Sequence, residues 1–321
     1  MNKIKFIKKP KLKNPFLICA WPGMGQVAYK AAVYLVDKLK AEGFAEIQSE
    51  DFFYSTGSTI KEGLIDLTQT AQNRFYYWKN KNGKNDLIIF ISNAQPDLSR
   101  AQDYSKLIFN LASEYKIKTA ICFAAMPQPI EHQQPPGIWF ASTTKELNAS
   151  LKKYNFHLLS EGQISGMNGL FLKLAKGRGI NGFCLLGEIP LYTIHIENPK
   201  ASSAVLAALG RILNINIDLN PLIEETHILE NEINKLFEYL KISTPAGPIQ
   251  EEEIEKIKKS LAQLTKLPRS VKQRIEELFI QAKTDITKAN ELKAELDSWN
   301  VYKEYEDKFL DLFKKKKEKN N

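Results

Sequence analysis

Short apolar runs recur along this chain, and amphipathic stretches separate them. The runs at 16–20, 86–91, 119–125 and 183–186 carry almost no polar positions, the pattern of strands covered on both faces. Between them, apolar residues return at helical spacing. Val27, Ala31, Tyr34, Leu35 and Leu39 predict a helix over 24–40, with Gly43 as a stop. Tyr104, Leu107, Ile108, Leu111 and Tyr115 predict one over 101–116. Thr143 or Thr144 caps a helix to about 154, and further helices are predicted at 170–176 and 199–213. Strand and helix in alternation predict an α/β protein with a mostly parallel, doubly wound sheet. Residues 44–47, 52–54, 58–60, 64–67 and 74–78 read as extra strands, an insertion or an antiparallel flank, with Lys61-Glu62-Gly63 turning a hairpin.

From about Asp218 the pattern becomes wholly helical. One stripe runs over 218–240, followed by a Pro/Gly linker at 243–248. Helices are then predicted at 249–264, 268–283, 284–297 and 298–313, with Pro268 early in one and Thr284 and Ser298 as caps. The expected division is an α/β domain over 14–240 and a helical appendage over 249–313. Basic tails are expected at 1–13 and 314–321.

The net charge of +8 alters this picture little. Residues 1–13 hold six lysines and no acid, and 314–319 hold a net +4, so the body between carries about −2. Nucleic acid is therefore not expected as a partner. No apolar run reaches the roughly 20 residues of a membrane span, and 1–6 lack the core of a secretory signal. Neither a membrane nor export is expected, and the cytoplasm is. Cys19, Cys122 and Cys184 each sit inside an apolar run and read as small hydrophobes, not as a disulfide framework or metal set.

Four apolar runs end in loops with proline: Trp21-Pro22-Gly23-Met24-Gly25, Ser92-Asn93-Ala94-Gln95-Pro96, Ala125-Met126-Pro127 and Gly187-Glu188-Ile189-Pro190. Parallel strands would deliver all four to the carboxyl edge, where open α/β sheets bind ligands. The candidate rim, for a ligand or an interface, is Trp21, Gly23, Met24, Gly25, Asn93, Gln95, Gly166, Asn168 and Glu188. Gly23-x-Gly25-x-x-Ala28 loosely fits a dinucleotide turn, with Glu50 or Asp51 as the ribose acid; a tight strand–helix turn explains the glycines equally. His132, His157, His195 and His227 stand without metal-ligand spacing, and Ser165 lacks the Gly-x-Ser-x-Gly elbow. No catalytic residue, cofactor or metal is assigned on this basis.

Trp21-Pro22-Gly23-Met24-Gly25, the glycine-rich 162–169 stretch and Leu185-Leu186-Gly187-Glu188 carry a resemblance to the proteasome assembly chaperone 2 family. Asn198-Pro199-Lys200-Ala201, Val205-Leu206 and Asn216-Ile217-Asp218-Leu219 extend it across about 14–240. The resemblance implies a three-layer core of the phosphorylase/hydrolase-like kind. It also implies self-association into a trimer or larger, and protein partners such as a proteasome-like complex. It implies no established catalysis. Some relatives are labelled ATP-grasp-type ligases, so a nucleotide- or small-molecule-binding enzyme or sensor is the rival expectation; no ATP-grasp pattern is present here. Chaperone members end in a hydrophobic–tyrosine–any tail. This sequence ends Lys317-Glu318-Lys319-Asn320-Asn321, and Val301-Tyr302-Lys303 falls inside a predicted helix.

Overall fold

The structure, a computed structural model, describes residues 4–48, 51–53, 59–61, 63–66, 71–81, 83, 85–242, 269–298 and 301–314. The strands are β1 (Ile4–Phe6), β2 (Phe16–Ala20), β3 (Glu42–Ile47), β4 (Thr59–Lys61), β5 (Leu64–Asp66) and β6 (Asn73–Trp78). They continue with β7 (Leu87–Ser92), β8 (Thr119–Gln128), β9 (Ile138–Ser142), β10 (His157–Leu158) and β11 (Asn181–Pro190). The helices are α1 (Val27–Lys38), α2 (Ala101–Glu114), α3 (Lys145–Lys152), α4 (Met167–Lys176), α5 (Pro199–Leu213) and α6 (Asn220–Ile242). Three more follow: α7 (Arg269–Thr284), α8 (Lys288–Ser298) and α9 (Tyr302–Lys314).

Nine strands form one sheet in the order β1-β3-β6-β7-β2-β8-β11-β9-β10, and β4 and β5 pair as a separate hairpin. The central four, β7-β2-β8-β11, are mutually parallel. Their continuous apolar sequences follow from this position, because both faces are covered. Leu17, Cys19, Ile88, Phe90 and Cys122 face α2 and α4, whose Tyr104, Ile108 and Phe171 close that side. Ile18, Ala20, Ile89, Ile121 and Phe123 face α1 and α5, whose Val27, Ala31, Leu35, Val205 and Leu209 close the other. The result is the doubly wound α/β sheet that the alternation predicted, in the three layers that the family resemblance implied.

Five features depart from the expectations. Residues 4–6 of the lysine-rich lead-in form β1, antiparallel to β3. Ile4 supplies the buried position and Lys8 pairs with Glu42, so charge density hid an edge strand. Phe52 and Phe53 lie in a turn outside the ladders, and Tyr54 lies outside the described residues. Phe52 is buried by the ring of Tyr104, at 5.5 Å, and not by a strand neighbour. Met126–Gln128 and Gly187–Pro190 are not loops, because β8 and β11 stay paired through Pro127↔Ile189 and Pro190↔Gln128. At that height β2 and β9 no longer flank them, so neither proline withholds an N–H from a second neighbour. The helix expected from 170 begins at Met167, after Gly166. Thr284 lies within α7 and Ser298 at the end of α8; Asp285 closes the turn between the two helices, its Oδ1 accepting from the Thr287 N–H at 3.0 Å.

The helices α7, α8 and α9 share a small core of Ile275, Leu278, Phe279, Leu292, Leu296 and Phe309, which also contains Leu191 from the turn after β11. Val301 is buried in it, and Tyr302 opens α9 with its ring packed on Phe309. The linker and first appendage helix, expected at 243–264, and the expected tail at 315–321 lie outside the described residues.

The three cysteines stand in register: Cys19 opposite Cys122, and Cys122 opposite Cys184, on adjacent parallel strands. All are fully buried, and burial pushes their thiols well above the ordinary range. A thiolate-directed disulfide reagent at neutral pH is expected to leave all three unmodified in the folded protein and to label all three in denaturant. Absorbance of the released thiol measures both.

Candidate functional site

The carboxyl edge of β7 and β2 meets the N-terminus of α4. The Trp21 backbone N–H donates to Asn168 Oδ1 at 3.1 Å, and Asn168 Nδ2 donates to the Trp21 carbonyl at 3.1 Å. One amide side chain thus pairs with the outgoing strand as a neighbouring strand would. Gln95, after β7, repeats the device one step outward. Its Nε2 donates to the Pro22 carbonyl at 2.6 Å, and its Oε1 accepts from the Met167 N–H at 3.0 Å. Trp21, Gln95 and Asn168, which lie far apart in sequence, therefore close into one polar seam. Gly166 sits against Gln95 with φ +73°. Gly169 lies where α4 meets its own lead-in: a Cβ there would stand 2.1 Å from the Ile164 carbonyl oxygen, so no side chain is accommodated.

Trp21 is the wall of this seam and not its surface. Its ring is fully buried, with Phe90 and Phe171 each at 5.6 Å and Tyr104 at 6.5 Å. Its Nε1 donates to the Tyr104 hydroxyl, which in turn donates to Asn73 Oδ1. Burial raises the Tyr104 pKa far above the phenol range, so this hydroxyl stays protonated as a donor. The exposed or half-exposed members of the rim are Gly23, Met24, Asn93, Gln95, Gly166 and Glu188; Gly25 and Asn168 are buried beneath them.

The glycine turn is closed from the α5 side. The Gly25 N–H donates to the Ile194 carbonyl at 2.7 Å, and the Asn198 N–H donates to the Gly25 carbonyl at 2.8 Å. Asn198 then caps α5, its Oδ1 accepting from the Ala201 N–H at 2.8 Å. Gly25 holds φ +58°, and a Cβ there would stand 3.3 Å from both Asn198 Cβ and Ile189 Cδ1, which is why glycine occupies the position. The N–H that a dinucleotide turn would offer to phosphate is committed inside the fold. Glu50 lies outside the described residues, and Asp51 is exposed.

Two rim members stand apart from the seam. Asn93 exchanges hydrogen bonds with Gln72, its Oδ1 accepting at 2.8 Å. Glu188, on the paired extension of β11, accepts from the Gly137 N–H at 2.8 Å and from Trp139 Nε1 at 2.7 Å. It also borders a cleft under α6 that the sequence did not disclose. There His132 Nδ1 lies 2.8 Å from the Tyr192 hydroxyl and Nε2 lies 2.9 Å from Asn234 Oδ1. Lys200 Nζ donates to the His132 and Gln133 carbonyls at 3.0 and 2.8 Å, and to Glu230 Oε1 at 2.5 Å. This set clamps the loop after β8 to α6, each member bonded to another. Among the described residues no group of three His, Cys, Asp or Glu side chains is placed to hold a metal ion.

Gln95→Ala removes both bonds of the outer seam at an exposed position. It is expected to lower stability by about 1–2 kcal/mol, read by urea titration, and to raise amide exchange at Met167.

The PAC2 family pattern matches residues 17–237, a span that contains the seam, the closed glycine turn and most of α6. The chain belongs to the PAC2 family. Among solved structures of this fold, PbaB of Pyrococcus furiosus, described as an archaeal proteasome activator, is 28% identical. That match covers 74% of this chain and 99% of PbaB, with a TM-score of 0.63. PbaA of the same organism, described as an archaeal homolog of proteasome-assembly chaperone, is 25% identical over 73% of this chain and 96% of its own, with a TM-score of 0.56. An uncharacterized protein of Methanocaldococcus jannaschii is 29% identical over 259 residues, 78% of this chain and 95% of that protein. The PAC2 match stops before α7, so the helices α7–α9 lie beyond the shared region. Among the described residues, no helix is long and apolar enough to cross a membrane.

Proposed function

We propose that this PAC2 protein is a non-enzymatic, homo-oligomeric assembly factor that binds protein partners, a proteasome-like complex among them. The observation that carries the reading is the match to PbaB and PbaA over nearly their whole lengths. The closed glycine turn supports it from the chemical side, because Gly25 gives its N–H to Ile194. In this reading the exposed rim residues, Gly23, Met24, Asn93, Gln95, Gly166 and Glu188, form a protein-docking edge. Trp21, Gly25 and Asn168 hold that edge in shape.

The test is co-migration of the full chain with the proteasome core particle of its own organism on native gels, with light scattering of the chain alone. The expected result is an oligomer of defined mass and a shifted core-particle band that the Met24→Arg variant weakens. A strictly monomeric chain that shifts nothing would overturn the reading.

A further inference from the structure

The opposite, amino edge of the sheet carries a feature that the rim does not explain. Here strands begin and helices end, and a lysine stands at nearly every step. Lys40 precedes β3, Lys79 and Lys81 lie between β6 and β7, and Lys13 precedes β2. Lys118 precedes β8, and Lys176 ends α4 just before β11. The antiparallel pairing of β6 with β7, Trp78 opposite Leu87, and of β3 with β6, Glu42 opposite Tyr77, puts the flank's lysines at this same edge. All six are exposed. None forms an ion pair with a described acid, whereas elsewhere Lys30, Lys106 and Lys200 are each paired with Glu or Asp.

The row follows the sheet order β3-β6-β7-β2-β8-β11. Five inter-strand steps of about 4.8 Å make it roughly 24 Å long. Compensation of helix dipoles accounts for Lys176 at a helix C-terminus. It does not account for Lys13, Lys79, Lys81 and Lys118, which precede strands. The whole-chain charge concealed this row, because acids on α6 and around the carboxyl edge offset it in the sum.

We propose that this lysine row is a docking surface for the acidic face of a protein partner. The proposal uses the edge opposite the rim and stands or falls independently of the function proposed above. Three observations select protein over nucleic acid. The row is built of lysine, a point charge without the planar fork that reads bases. Two nearby aromatic faces that bases could stack on are already covered, Tyr77 by Lys8 and Phe109 by Arg178. The row is also short, bounded on the β3 side by Glu42 and Glu114, which are held by Lys8 and Lys9.

The test is fluorescence anisotropy of the full chain with a labelled oligoglutamate peptide of about 15–20 residues, long enough to overspan the row. A duplex oligonucleotide of matched charge is the second arm. Lys79→Glu/Lys118→Glu/Lys176→Glu is compared with Lys106→Glu/Lys152→Glu/Lys153→Glu, which changes the net charge equally away from the row. The expected result is salt-sensitive peptide binding whose Kd rises at least about tenfold in the first triple and much less in the second. Equal losses in both triples, no peptide binding, or tighter binding of the duplex would each overturn the proposal. Thermal melts of both triples accompany the titrations, since exposed lysines are expected to leave the fold intact.

Discussion

Trp21→Ala is expected to cost about 3–5 kcal/mol of stability, near the whole margin of many domains. The indole is fully buried at the end of β2 and touches rings from three other elements: Phe90 of β7, Tyr104 of α2 and Phe171 of α4. Removing it opens a cavity that the close-packed sheet and helix backbones fill only in part. It also takes from Tyr104 the Nε1 donor that its buried hydroxyl receives. Trp21→Phe keeps most of the ring area and loses the donor, so its cost is expected to stay below about 3 kcal/mol. Urea titrations followed by far-UV circular dichroism give both values. A Trp21→Ala loss below that of Trp21→Phe would show that the indole is not the wall of the seam.

Asn168→Leu follows, at about 2–4 kcal/mol. The side chain is 4% exposed and serves one donor and one acceptor of the Trp21 backbone. Leucine has similar bulk and leaves both groups buried without a partner. Asn168→Asp separates the two bonds. The carboxylate can still accept from the Trp21 N–H but faces the Trp21 carbonyl with a second acceptor. It is therefore expected to recover part of its stability as pH falls and the carboxyl becomes a donor. An Asn168→Asp protein whose stability is flat across the carboxylate range would contradict the pairing.

The sequence disclosed the parallel centre of this fold because burial on both faces erases polar positions. Phe16–Ala20 and Leu87–Ser92 have no other reading. It disclosed the edges poorly. The lysines around Ile4–Phe6 masked β1, since a strand held by one ladder needs few apolar residues. Proline at 127 and 190 suggested loops, because nothing local says that one side of each strand has lost its neighbour. The rim was half legible. The glycine turns marked where strands end, and the seam of Trp21, Gln95 and Asn168 follows from that. The joining of Asn93 to Gln72 and of Glu188 to Trp139 depends on side-chain reach across strands. The clamp under α6 was not legible at all. Its partners lie 60 and 102 residues from His132, and no local pattern links them.

The antiparallel pairing of Ile4–Phe6 on β3 has a bearing on how the chain can be shortened. A version starting at Phe16 would keep every residue of the PAC2 match yet strip the outer side of β3, leaving its amides and carbonyls open to any passing strand. Such a trimmed protein would fold its centre and stick to its own copies. Residues 4–6 act as a selvage over β3, and the lysines beside them guard the edge that remains.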